Sequence, residues 1–343
     1  MESIPWADLD AQSPGGALLR RAWQPVARCM DLPVGATRRV RVLGEDLTLF
    51  RGESKGVYAV GARCPHRGTD LLLGRVQGDT LSCLHHGWCW RGRGEAAPAH
   101  PGQPAGLKLR SLPTREALGL VFVWLGEGPP PALPSFPSGP WTALTTDRWP
   151  CSFFRRLENT LDLSHLPHSH RLSGVGGIVP PEMRIEVRPL SGGLEVGSPE
   201  LPAPPVRFYL PNLLQFSSPG PGGAWVDHLV WRVPEDQDSC RSFGVLNASV
   251  PTSPRTAPWD ASEGERLAEQ VLAGQSTLEE LAGASSLTEI EDYLVLVGQG
   301  PLRGQSEEHL GPQDGPVRAL RSLWSEALGW PALPPPVLER LPC

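Results

Sequence analysis

The chain has 343 residues, enough for about two domains with substantial hydrophobic cores. A formal net charge of −6 gives no electrostatic case for binding nucleic acid. Of its 31 basic residues only Lys55 and Lys108 are lysines, so arginine enrichment runs through the whole chain and marks no binding patch.

The first ten residues, Met1 to Asp10, lack the basic start and apolar run of a signal peptide, which places the protein in the cytoplasm by expectation. Cysteines at 29, 89, 151, 240 and 343 are scattered without disulfide-like spacing, as suits a reducing compartment. Residues 37 to 60 alternate in short runs, Arg39–Val42, Leu47–Phe50 and Val57–Val60, a pattern of strands and tight turns. The apolar stretch around Leu118 to Leu125 is far too short to span a bilayer and reads as a closing strand. After an N-terminal segment (1–22), residues 23–127 are therefore expected to form a small all-β domain. The Pro- and Gly-rich residues 128–148 read as a linker, 149–330 as a second domain and 331–343 as an extended tail. In that second domain, residues 155 to 164 read as helix. Short β-like runs follow at 183–187, 206–210, 225–233 and 242–250, with a Pro-rich loop from 252, helical potential over 261–281 and helices over 286–298 and 314–329. The fold class is α+β, an all-β domain followed by an antiparallel sheet covered by helices.

Within the first domain, Cys64-Pro-His66 and Cys83-Leu-His-His86-Gly-Trp88 present one cysteine and one histidine in each of two short loops. Two thiolates and two imidazoles also suit tetrahedral zinc, but zinc fingers usually group cysteines with cysteines and histidines with histidines. The order here favours a two-iron, two-sulfur cluster in which histidines replace cysteines on one iron, which raises its reduction potential. With Gly68, Leu71, Gly74, Gly78, Asp79 and Leu81 between them, the two loops resemble those of Rieske domains. By that resemblance Cys64, His66, Cys83 and His86 are the ligands. His85 is a packing or hydrogen-bonding position, and Cys89 a small thiol beside the loop.

Glu158-Asn-Thr-Leu-Asp162-Leu-Ser-His165-Leu-Pro-His168-Ser-His170 gathers two acids and three histidines in thirteen residues. On a regular helix His165 and His170 would diverge by about 140°, so convergence on one ion needs a distortion, for which Pro167 is the candidate. Two histidines and a distant carboxylate make the facial triad that leaves positions open on non-haem Fe(II). The segment resembles the Asn-x-x-Asp-x-x-His-x₄-His motif of Rieske non-haem iron oxygenases, matched by Asn159, Asp162, His165 and His170. That resemblance makes His165 and His170 metal ligands and His168 a neighbour. It makes Asp162 the bridge to a cluster histidine of an adjacent subunit, through a carboxylate that accepts from His165 on its other side. The late Glu291-Asp292 with Gln299 seven residues on makes Asp292 the third ligand, with Glu289 and Glu291 as alternatives.

The resemblance implies a terminal oxygenase subunit that uses O₂ and single electrons to hydroxylate or oxidatively demethylate a small, largely apolar substrate. The single-chain design is more like the monooxygenases and demethylases than the two-subunit arene dihydroxylases. A Rieske electron carrier without oxygenase activity is the competing class. The sequence has no Gly-x-Gly-x-x-Gly fingerprint, so electrons from NAD(P)H are expected through a separate reductase, with or without a ferredoxin. Head-to-tail homotrimers are the family's arrangement. For the substrate pocket, Phe208, Leu210, Leu213, Phe216, Trp231 and Phe243 are the candidates, although a sheet core would look the same.

Overall fold

In a computed structural model the chain divides into two compact units, Arg20–Ala132 and Leu133–Cys343, the latter grouped with the N-terminal segment. The structure describes residues 8–97, 102–104, 106–144, 146–174, 179–180, 182–219, 224–247, 261–284, 286–302 and 308–341. The first seven residues, the Pro-rich loop expected from 252 and Cys343 lie outside them.

A short helix, α1 (Pro14–Arg20), precedes ten strands: β1 (Gln24–Arg28), β2 (Thr37–Val42), β3 (Glu45–Arg51), β4 (Val57–Gly61), β5 (Arg75–Gln77), β6 (Thr80–Ser82), β7 (Cys89–Arg91), β8 (Ser111–Leu112), β9 (Thr114–Ala117) and β10 (Leu120–Val123). They form three antiparallel sheets ordered β2-β3-β4-β8, β1-β10-β9 and β5-β6-β7. Two hairpins turn on consecutive positive-φ residues, Leu43 and Gly44, then Leu118 and Gly119, the backbone that matches the twist of the flanking strands. The core is Phe50, Val60, Leu71, Leu81, Trp90 and Leu109, and Cys64 and Cys83 are packed into it. Each cluster loop is thereby rooted at its cysteine.

The second unit is built on one antiparallel sheet. Its strands are β11 (Trp141–Ala143), β12 (Asp147–Trp149), β13 (Glu186–Leu190), β14 (Gly193–Gly197), β15 (Val206–Tyr209), β16 (Leu213–Pro219), β17 (Trp225–Asp236) and β18 (Ser239–Asn247). β11 and β12 both pair with β18, after which the order is β17-β16-β15-β14-β13. Residues 128–148 are therefore not all linker, because their last part supplies two sheet strands. Helices α2 (Phe153–Leu161), α3 (Leu166–Ser169), α4 (Ala261–Leu272), α5 (Leu287–Gly298) and α6 (Gly315–Ala327) complete the unit.

Alternation along the strands gives the sheet two distinct faces. On one, Arg232 reaches Thr160 of α2, and α2 packs on α6 through Phe153 and Phe154 against Trp324. On the other, Tyr209 and Gln215 donate to the carbonyls of Val337 and Glu339, so the C-terminal tail lies across the back. Phe136 meets Trp231 there edge to face. Among the described residues no helix is long and apolar enough to cross a membrane.

Candidate functional site

The two cluster loops share one backbone frame. Cys64 N–H donates to the Thr69 carbonyl and Gly68 N–H to that of Cys64; Cys83 N–H donates to Trp88 and Gly87 N–H to Cys83. Both glycines have positive φ, 75° and 71°, where a side chain is strained. The cysteines are buried and His86 is exposed, while the His66 and His86 rings lie 4.7 Å apart. His66 stacks on Trp88 at 4.1 Å, which fixes its plane. His85 hydrogen-bonds Thr69 across the loops at 3.2 Å, and the Cys89 thiol donates to the Gly87 carbonyl. Burial raises the Cys64 pKa, and the neighbouring Cys83 adds to the rise.

That environment fits a cluster better than free thiols. Trp90 is fully buried and its indole N–H has no conventional acceptor, yet it favours the ionised Cys64 sulfur. A sulfur bearing negative charge, as in a thiolate–iron bond, would satisfy it.

In the second unit, Ser152 caps α2 and the helix stops at Asp162, whose backbone leaves the helical region at φ −80°, ψ 89°. The Asp162 carboxylate accepts from Ser164 N–H and from the Ser164 hydroxyl, opening a single 3₁₀ turn over Leu163–His165. The break that lets the histidines converge is thus at Asp162. Pro167 sits in the first turn of α3, where a missing N–H costs no helical bond.

His165 and His170 flank α3, and their Nε2 atoms lie 3.2 Å apart. Asp292 Oδ1, from α5, is 3.6 Å from His165 Nε2 and 3.4 Å from His170 Nε2, so the three side chains converge as one donor set. The Asn159 amide fixes Asp292 Oδ1 from α2 at 2.9 Å, and Arg155 ties α2 to Gln299 at the end of α5 at 2.7 Å. The seven-residue step from Asp292 to Gln299 thus spans α5 between two contacts with α2. On its outer side Ile290 and Tyr293 of α5 pack with Trp149 and with Ala268 of α4.

The second nitrogen of each histidine is also held. His165 Nδ1 faces the Asp162 main-chain carbonyl, and His170 Nδ1 meets Glu291 Oε2 at 3.1 Å. Glu291 Oε1 accepts from Leu172 N–H at 3.1 Å. Acceptors at both Nδ1 atoms put the protons there, so both Nε2 atoms present lone pairs to each other and to a carboxylate. Three electron-pair donors facing one point without a proton between them call for a cation, and two imidazoles with one carboxylate fit non-haem iron. Burial works against charge at Asp292, yet His165 and His170 hold its carboxyl well below the usual range. Burial likewise opposes a charged His170, but Asp292 and Glu291 together raise its pKa.

Three expectations change. The Asp162 carboxylate does not accept from His165; the main-chain carbonyl does, and the carboxylate is turned to Ser164. Glu291 binds His170 and is not one of the convergent donors, while Glu289 stands apart with its pKa raised by burial. Of the pocket candidates, Leu213, Trp231 and Phe243 form one cross-strand row on the tail-covered face, whereas Phe208 and Phe216 alternate onto the helix-bearing face. His168 is exposed. Sequence reasoning passed over Ser164, which turns the Asp162 carboxylate and carried no motif of its own.

Residues 22–114 match the family model described as the Rieske [2Fe-2S] domain. Over 90% of this chain and 75% of the relative, the sequence is 26% identical to the 5,5'-dehydrodivanillate O-demethylase oxygenase subunit of Sphingobium sp.. It is 26% identical, over 95% of the chain and 76% of the relative, to the tert-butanol monooxygenase / tert-amyl alcohol desaturase oxygenase subunit of Aquincola tertiaricarbonis. An oxygenase variant of carbazole 1,9a-dioxygenase, solved in complex with ferredoxin, superposes with a TM-score of 0.67 at 21% identity, covering 94% of this chain and 92% of that one.

Proposed function

Since the chain is a Rieske-type non-haem iron oxygenase of the terminal oxygenase class, we propose that it hydroxylates or oxidatively demethylates a small organic substrate at the His165, His170 and Asp292 centre. The observation that carries this reading is the convergence of two imidazole lone pairs and one carboxylate in a chain that also bears a Rieske domain. Iron bound by the three side chains would supply the O₂ activation, with Cys64, His66, Cys83 and His86 holding the cluster that delivers electrons singly. Glu291 and the Asp162 carbonyl keep the protons on Nδ1, Asn159 orients the Asp292 carboxylate, and Ser164 orients that of Asp162.

Asp162 would link the two metal sites across neighbouring chains of a homotrimer in the cytoplasm, with NAD(P)H electrons arriving from a separate reductase directly or through a ferredoxin. Support comes from the exposed His86 edge and from the carbazole oxygenase, whose structure was determined with a ferredoxin. The names of the two relatives favour demethylation or monohydroxylation over arene dihydroxylation. Metal analysis of the purified chain, combined with reductase-fed O₂ uptake, tests the reading. Three irons per chain and substrate-dependent uptake are expected. Two irons and no uptake would leave a Rieske electron carrier instead.

A further inference from the structure

Arg155, Glu158, Asn159 and Asp162 follow the i, i+3, i+4, i+7 spacing, so α2 and its C-cap carry one polar stripe along an otherwise apolar helix. Asn159 and Asp162 belong to the iron site. Arg155 and Glu158 are buried and have other partners. Arg155 donates through Nη1 to Gln299 Oε1 at 2.7 Å and through Nη2 to the Pro301 carbonyl at 3.2 Å. Glu158 Oε1 accepts from Nε of Arg321, on α6, at 2.6 Å. Glu308 lies between the two arginines, 2.8 Å from Arg321 Nη2 and 3.8 Å from Arg155 Nη1.

Two positive and two negative side chains in such a seam are a poor source of stability, and burial pushes the Glu158 pKa up even with Arg321 beside it. Apolar side chains would hold the helices together as well; what paired charges can add is a single register. Register matters for α5, which carries Glu289, Glu291 and Asp292 in four consecutive positions. Successive helical residues stand about 100° apart and about 1.5 Å along, so Glu289 is about 60° round from Asp292 and one turn earlier. The Asn159 amide can donate to either carboxylate, so its bond to Asp292 does not by itself choose between them. Gln299, seven residues after Asp292, is about two turns on and falls on the same side of the helix. Arg155 therefore grips the end of α5 at two points, one a side-chain oxygen and one a main-chain carbonyl, on the side that turns Asp292 to the histidines. A planar guanidinium with donors fixed in a fork resists both rotation and sliding of what it holds.

We propose that Arg155 is a positioning residue that locks the register of α5 against α2 through Gln299 and Pro301, and so keeps Asp292 on the iron, while the Glu158–Arg321 pair seats α2 on α6. The inference rests on the oxygenase reading above and deepens it: Arg155 and Glu158 touch the metal only through the helices they hold.

The test is Fe(II) affinity of the purified protein, its cluster intact, measured by competition with a chelator beside the urea midpoint of the same preparation. Gln299 is exposed, so an exchange there should leave the midpoint nearly unchanged. Gln299→Leu, which removes the acceptor, is expected to weaken Fe(II) binding by at least about threefold, and Arg155→Met by about tenfold. Gln299→Glu keeps an acceptor for the guanidinium and should retain the wild-type affinity. A packing role predicts otherwise: a lower midpoint in Arg155→Met, unchanged Fe(II) affinity of the folded protein, and no difference between Leu and Glu at position 299. That pattern, or wild-type affinity in Gln299→Leu, overturns the proposal; if Arg155→Met folds too poorly to assay, the two Gln299 variants decide it. A wild type that holds two irons per chain and takes up no third would instead sink the oxygenase reading itself.

Discussion

Replacing Glu291 by Gln changes one atom and tests how the iron site is set. The carboxylate is 1% exposed, and each oxygen has one task, Oε2 at His170 Nδ1 and Oε1 at Leu172 N–H. An amide has one oxygen and one NH₂, so it can serve only one of them. If the oxygen stays with Leu172, the NH₂ faces His170 Nδ1 and favours the tautomer with the proton on Nε2, the atom that must be bare to bind metal. If the amide flips, its NH₂ opposes the Leu172 N–H, a buried clash of two donors worth about 1–3 kcal/mol. Losing a carboxylate partner of a ligating histidine typically costs about 10–100-fold in metal affinity, or about 1.4–2.7 kcal/mol. Competition with a chelator for Fe(II), or for Co(II) as a probe, should show that loss. The Rieske visible spectrum should be unchanged and iron content should fall from three towards two per chain. Wild-type affinity in Glu291→Gln would refute the tautomer argument.

Asp162→Asn keeps both the Ser164 acceptor and the main-chain carbonyl at His165, so both metals should stay bound. Turnover should nevertheless fall by about 10–100-fold or more, and coupled O₂ uptake at the wild-type rate would sink the bridge role. His228 folds with a pKa of about 4 against an unfolded value near 6.5, so the unfolded chain binds the extra proton between those limits. Its contribution is intact above pH 6.5 and is lost as pH falls towards 4, about 3 kcal/mol in all; urea midpoints of His228→Asn should show a shallower acid loss than the wild type. Trp90→Phe removes the N–H beside Cys64 and should lower the cluster's midpoint potential by about 20–60 mV, read by protein-film voltammetry.

The cluster loops were legible because their ligands are local: cysteine, histidine and glycine fall within five residues in each loop, and the backbone bonds close inside it. The iron site was harder. Asp292 lies on a helix with Glu289 and Glu291 nearby, and only the packing of α5 against α2 and α4 decides which acid turns inward. The Asp162 to His165 contact was misassigned because spacing gives proximity and does not distinguish a carboxylate from the carbonyl of the same residue. Half of the expected pocket fell on the wrong face because hydrophobicity marks a buried strand while register decides which neighbour buries it. β11 and β12 escaped notice because three-residue strands next to prolines have almost no periodicity of their own.

The tail laid across the back of the sheet separates two histories in one run of sequence. Odd positions of β17, Leu229, Trp231 and Val233, answer to the tail and to their own core, while even positions, His228, Val230 and Arg232, answer to the helices and whatever lies beneath them. Val230 is nevertheless sealed in the core and Arg232 is tied to Thr160 and Ser242, so an exchange on either face of the strand is felt in a packed layer, under the tail on one side and under the helices on the other.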